Sequence, residues 1–232
     1  MYTTIPSSTE GVFLYKNYNY MIKKNMKKII FFIALLAVSS ILNAQSSAIS
    51  FGAKGGYTLS NMKFFGEKLD AKSYFYAGIL AEQPLSSQFA IQAELLYTKL
   101  GGKDSYSWTE QVGTEIVEVG NMDFNYQFHQ IQVPISIKYY FIPNLSASVG
   151  MNFGFNISTK LTTGNPYMDE HKGDFNGAKT LNLFPFLGAE YKITPKFFVD
   201  ARYHFNFIEV NKKNTVPTKI GFLQAGVGYR FK

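Results

Sequence analysis

Residues 145–160 read LSASVGMNFGFNISTK, and this stretch decides the fold. Leu145, Ala147, Val149, Met151, Phe153, Phe155 and Ile157 alternate with Ser146, Ser148, Gly150, Asn152, Gly154, Asn156 and Ser158. A strict period of two puts the two sets on opposite faces of a strand. One face is large and apolar. The other is made of Gly, Ser and Asn, side chains small enough for a narrow interior. Such a run has the length that a tilted strand needs to cross a bilayer, about 9–11 residues.

The same alternation recurs on both sides of it. Ile49, Phe51, Ala53, Gly55, Tyr57 and Leu59 oppose Ser50, Gly52, Lys54, Gly56, Thr58 and Ser60, and similar patterning marks 73–83, 89–99, 124–141, 180–193, 197–207 and 219–231. Short connections carry Pro84, Pro143 and Pro195, where proline pre-sets a turn and no ladder donor is needed. The connections near 61–72, 100–123, 160–179 and 208–218 are longer and polar. Short turns at one end and long loops at the other describe an all-β, eight-stranded antiparallel up-and-down transmembrane β-barrel. A soluble barrel of the lipocalin type has the same strand count, with its apolar face turned inward around a ligand. The small-residue polar face, the scarcity of charge on the apolar faces and the aromatics near strand ends (Tyr139 to Phe141, Tyr191, Phe197, Phe198, Tyr229) favour the membrane form.

Composition narrows the function classes. The 232 residues include no cysteine, 16 tyrosines and 22 phenylalanines, with a formal charge of +7. Thiol chemistry and disulfides are excluded, and so many aromatics are foreign to disordered chains. The charge is mostly an address. Met26-Lys27-Lys28 precedes the apolar run Ile29–Leu42 and Asn43-Ala44, the plan of a cleavable signal peptide over 26–44. Residues 1–25 fit no part of that signal and read as an upstream extension with no fold expected. The barrel domain is then 45–232, with 18 basic and 15 acidic residues and a net of +3. A nucleic-acid partner loses its support once the signal is removed.

The last strand, AGVGYRFK, presents Ala225, Val227, Tyr229 and Phe231 on its outward face. Together with GAKGGYTLSNM, YAGILAE, FAIQAELLYTKLGG, HQIQVPISIKYYF, FGFNIS and FLGAEYKI, it makes the chain resemble the PorT-type outer membrane protein beta-barrel family, which shares its plan with the OmpX and OmpA barrels. The likeness spans about 185 residues and is architectural. It implies integral residence in the outer membrane as a monomer, contact with outer-membrane lipids, and a C-terminal signal at Tyr229 and Phe231 read by the barrel-assembly machinery. Relatives in that family include a component of a protein secretion system, so envelope or secretion proteins are implied partners.

With apolar faces toward lipid, the charged residues Lys54, Glu82, Glu94, Lys138, Glu190, Lys192, Asp200, Arg202, His204 and Arg230 point inward. An unpaired ion there is strongly disfavoured. Heights counted from the short turns predict Glu94–Lys138 and Glu190–Arg202 as pairs on neighbouring strands, with Lys54, Asp200 and His204 in the same lumen network. A lumen of eight strands is just wide enough for side chains to fill, which favours a salt-bridged plug over a narrow porin-like ion pathway.

Catalysis has little to stand on. His129 falls on the lipid face, His171 in a long loop and His204 in the lumen near Asp200. The segments after His129 and His204 lack the serine of lipid A deacylase-like barrels, so a lipid-modifying enzyme is the weaker alternative, and neither catalytic residue nor cofactor is expected. The segment YMDEHKGD (Asp169, Glu170, His171, Asp174) lacks calcium-loop spacing and reads as a solvated charge run rather than a metal site. Specificity belongs to the long loops, where Tyr106, Trp108 and Tyr167 are the contact candidates and Thr114–Val119 could extend a hairpin above the membrane.

Overall fold

The computed structural model describes residues 49–64, 66–165, 168–174, 177–211 and 217–231. They form ten strands: β1 Ser50–Phe64, β2 Glu67–Lys68, β3 Asp70–Pro84, β4 Phe89–Val112, β5 Glu115–Ile142, β6 Leu145–Asn165, β7 Met168–Asp174, β8 Leu181–Lys192, β9 Phe197–His204 and β10 Thr218–Arg230. Eight of them are staves in the ring order β1-β3-β4-β5-β6-β8-β9-β10, every neighbour antiparallel. β10 closes on β1 through a ladder from Gly52↔Arg230 to Phe64↔Thr218. Closure satisfies backbone groups that a lipid environment would leave unpaired. β2 folds back on the end of β1, and β7 on the end of β6.

The two faces sort as an inside-out protein. Phe75, Ile79, Val149, Leu187 and Val227 are exposed outward, while Lys54, Glu94, Lys138, Glu190 and Arg202 are buried inward. A soluble barrel would reverse this, so the lipocalin-like reading fails. No helix among the described residues is long and apolar enough to cross a membrane; the chain crosses with strands.

Two of the expected long loops are largely strand. β4 and β5 stay paired past the barrel wall to Val112↔Glu115, and a two-residue turn with Gly113 at φ 68° closes them. Glycine meets that left-handed backbone without steric cost. Residues 104–112 have lost β3, whose ladder stops at Asp70↔Lys103, and 115–122 have lost β6, whose ladder starts at Asp123↔Gly164. Both faces of this ribbon meet water, so alternation lapses there while β-propensity persists. Likewise β6 and β7 occupy much of 160–179. β9 is shorter than the 197–207 expected and ends at His204.

The inward face is layered. Nearest the short turns lie charged side chains, above them amides, and at the loop end an apolar plug of Met62, Leu69, Leu100, Phe128, Phe184, Ile220 and Phe222.

Candidate functional site: the lumen

The lower charged layer is a closed quartet. Glu82, Lys138, Glu190 and Arg230 come from β3, β5, β8 and β10, which are alternate staves of the ring. Lys138 Nζ lies 2.7 Å from Glu82 and 2.8 Å from Glu190, and Arg230 Nη2 lies 2.8 Å from each of the same two carboxylates. Each cation bridges two anions, and the sum is zero. The Tyr140 hydroxyl donates to Glu82 Oε1 at 2.5 Å, Lys138 donates to Gln92 Oε1 at 3.1 Å, and the Arg230 guanidinium lies 4.4 Å from the Phe198 ring centroid.

A second quartet repeats this connectivity one step higher. Lys54 Nζ lies 2.6 Å from Asp200 and 3.5 Å from Glu94, while Arg202 Nη2 lies 2.7 Å from Glu94 and 3.0 Å from Asp200. Gln92 Nε2 also donates to Glu94 Oε1. Glu94 on β4 and Arg202 on β9 belong to opposite staves of the ring, so this pair spans the lumen. A cavity of about 10 Å³ between the quartets, lined by Gln92, Lys138, Glu190, Asp200 and Arg202 among others, has room for about one water.

The amide layer follows. Gln224 Nε2 donates to Thr58 at 3.2 Å and to Gln132 at 3.3 Å, Gln132 donates to Gln130 at 3.1 Å, and Gln130 donates to Asn156 at 2.8 Å. His204 belongs here rather than to the charge network expected for it. Its ring stacks on Phe222 at 4.0 Å and 13°, and Nε2 meets Gln224 Oε1 at 3.2 Å. Asp200 is taken by Lys54 and Arg202, so His204 has no carboxylate to orient it as a base.

The other charged site residues, Lys54, Glu94, Lys138, Glu190, Asp200 and Arg202, are all inside as the alternation requires, but the two expected pairings are exchanged. Lys138 stands opposite Ala90 rather than Glu94, and Arg202 opposite Gly188 rather than Glu190. Counting from the turns ignores strand stagger, which shifts heights between neighbours in any closed barrel. Glu82 and Arg230 complete the lower quartet; alternation pointed them inward but gave them no partners. Two supposed girdle aromatics, Tyr140 and Phe198, also face the lumen. Tyr229 and Phe231 do stand on the outward side, where Tyr229 packs on Phe197 at 4.9 Å and Phe231 is exposed.

At the outer end, Tyr106 and Trp108 are exposed on the β4–β5 ribbon, and Tyr167 lies outside the described residues, as does the segment 26–44 expected to be a signal peptide. The Tyr106 hydroxyl donates to Asp104 at 2.5 Å, and Lys103 pairs with Asp123 at 3.3 Å. A hydrogen bond from Ser105, and then Lys103, hold the Asp123 carboxyl below the ordinary aspartate range.

A closed antiparallel ring of eight staves, apolar outside and charge-compensated inside, defines an outer-membrane β-barrel. The chain belongs to the outer membrane protein beta-barrel domain family, whose model matches residues 43–211, and it is an integral outer-membrane protein. No curated protein sequence matches the chain. Among solved structures it is similar to Ail, the attachment invasion locus protein of Yersinia pestis, at 18% identity over 78% of this chain and 98% of that one, with a TM-score of 0.48. Similar too are Neisserial surface protein A (15%, 79% and 99%, 0.49) and outer membrane protein W of E. coli (13%, 81% and 100%, 0.41). At scores below 0.5 these pairs add nothing to the family match.

Proposed function

We propose that this protein is a closed, non-enzymatic barrel that works at its surfaces, as a structural or interaction component accessory to secretion or envelope assembly. The observation that carries the reading is the pair of neutral quartets stacked under an amide layer and an apolar plug. Together they fill the cross-section with side chains whose charges are already spent on one another. The acid–base partner that His204 lacks supports the non-enzymatic part. The β4–β5 ribbon supports the interactive part, because from Asp104 to Val112 it runs roughly 26 Å along its own axis at about 3.3 Å per residue and carries Tyr106 and Trp108 clear of the wall. The resemblance to PorT-type barrels supports the accessory role.

Planar-bilayer recording of the refolded chain tests closure: no conductance steps are expected, and steady steps would overturn it. A photo-crosslinking residue in place of Trp108 in intact cells tests the interactive part. Crosslinks to an envelope or surface protein are expected there, and their absence would leave the barrel a structural component alone.

A further inference from the structure

Three lysines stand abreast on the outward face near the loop end. Lys63 of β1 is the direct cross-strand partner of Lys219 on one side and of Lys68 on the other. Directly opposed residues share a face at about 5 Å between Cβ atoms, and like charges so placed are destabilising. The row behind them on the inward face is Leu69, Met62 and Ile220, all buried, so the ammonium groups cannot turn into the barrel. Glu209 is the cross-strand partner of Lys219 at one end of the row and offsets part of that one charge, though no carboxylate among the described residues forms an ion pair with any of the three. Lys63 and Lys68 face each other with no acid opposite either, so the row keeps a net positive charge that an anion would relieve.

Its position says which anion. Two residues toward the short-turn end, the outward pair is Asn61↔Gly221, and two further it is Leu59↔Leu223, both exposed and apolar. The lysine row thus caps the lipid-facing band at headgroup height on the loop side. Lys63 and Lys219 also line a cleft of about 470 Å³ with Gly66, Asn206, Phe207, Glu209 and Pro217, a size suited to a small ligand, and its two cations outnumber its one carboxylate. Phe207 is exposed and stacks on Phe205 at 5.1 Å, which places apolar surface beside the cations. A ligand combining phosphate with sugar and acyl surface matches both halves.

We propose that Lys68, Lys63 and Lys219 bind the phosphate of an outer-leaflet glycolipid, whose sugar and upper acyl carbons lie against Phe207. The test uses the full chain refolded into phosphatidylcholine nanodiscs doped with bisphosphorylated lipid A, with bound glycolipid counted by native mass spectrometry. Wild type retains lipid A. The variant Lys63→Gln/Lys68→Gln/Lys219→Gln retains it at least tenfold less, since each lysine at a membrane surface is worth about a factor of five. Lipid A stripped of phosphate is held equally weakly by both proteins. Unchanged retention in the triple variant, or equal retention of the dephosphorylated lipid by wild type, overturns the proposal. Displacement by millimolar inorganic phosphate would mark a site for free phosphate and would also overturn it. Heat-modifiable gel migration verifies that the variant is folded; should it not fold, Lys63→Gln alone is measured, with a several-fold loss expected.

Discussion

Replacing Arg202 with methionine tests the quartets as ion-pair networks. Arg202 is buried, reaches Glu94 at 2.7 Å and Asp200 at 3.0 Å, and lies 5.2 Å from the Phe186 ring centroid. Methionine keeps much of the stem but leaves two carboxylates sharing Lys54, so the upper layer carries an uncompensated negative charge. Breaking a buried pair from one side costs about 3–5 kcal/mol, a large part of the roughly 5–15 kcal/mol that holds a typical domain folded. Adding Glu94→Gln removes the second charge and leaves Lys54 with Asp200 as a simple pair. The double variant is expected to lose at least about 2 kcal/mol less than the sum of the two single losses, a coupling within the range seen for residues in one network. Urea titration of the chain folded in phospholipid vesicles measures this, with folded and unfolded species separated by unheated gel migration. A loss below about 1 kcal/mol in Arg202→Met would show the charge to be solvated rather than buried. Strict additivity would show that Glu94 and Arg202 do not depend on each other. Either result refutes the reasoning.

Three further outcomes follow from the packing. A side-chain carbon at Gly228 would run into the Phe198 ring, so Gly228→Ala is expected to cost about 1–3 kcal/mol in the same urea assay, and Phe198→Leu to restore part of it. Replacing residues 107–121 with an Asn-Gly turn removes only residues that pair with one another, and the unfolding free energy should stay within about 0.5 kcal/mol; a larger fall would show that the ribbon braces the wall. Asp123, observed by carboxyl NMR, should titrate below the ordinary aspartate range because its folded form is held charged by Ser105 and Lys103. A depressed folded pKa gives stability that is present above the unfolded pKa and is lost as pH falls through the folded one. Amide protection at the base of the ribbon should therefore weaken only at such low pH, and Lys103→Gln should raise the titration; an ordinary value for Asp123 in the intact chain would remove the contact.

The barrel was legible because lipid and lumen impose opposite demands on alternate residues, and LSASVGMNFGFNIS meets them position by position. Above the wall that contrast disappears, so the strand content of 104–112 and 115–122 is hidden behind a polar composition, although Thr114–Val119 reads as a hairpin extension. Inward direction was readable for every charged residue of the two quartets, since parity alone decides it. Partner choice was not, because it depends on stagger and on reach across the lumen: Arg202 finds Glu94 on the opposite stave and not Glu190 next door. His204 shared the parity of the charged residues yet fell one layer higher, between Phe222 and Gln224, where height rather than parity decides its company. The signal in reach was the count of charges itself, four acids and four bases without His204 and the half-buried Lys192, which permits complete neutralisation.

That balance explains why the lumen takes the form of quartets. In an eight-stave barrel, neighbouring staves present inward residues at staggered heights, so a layer at one height draws on alternate staves and has about four places. Two acids and two bases in alternation give every cation two anions and every anion two cations, the smallest closed circuit in which no charge is left over. The lower layer realises this with one residue from each of β3, β5, β8 and β10. The upper layer draws on β1, β4 and β9, with β9 supplying both Asp200 and Arg202, while the fourth stave, β6, brings only the small residues Ser148 and Gly150 to that region. Their size leaves the width through which Arg202 reaches Glu94. A larger side chain at Gly150 would meet both the Phe186 ring and the β5 backbone, so the polar, small-residue face of the stretch that announces the fold is also what gives the upper circuit room to close.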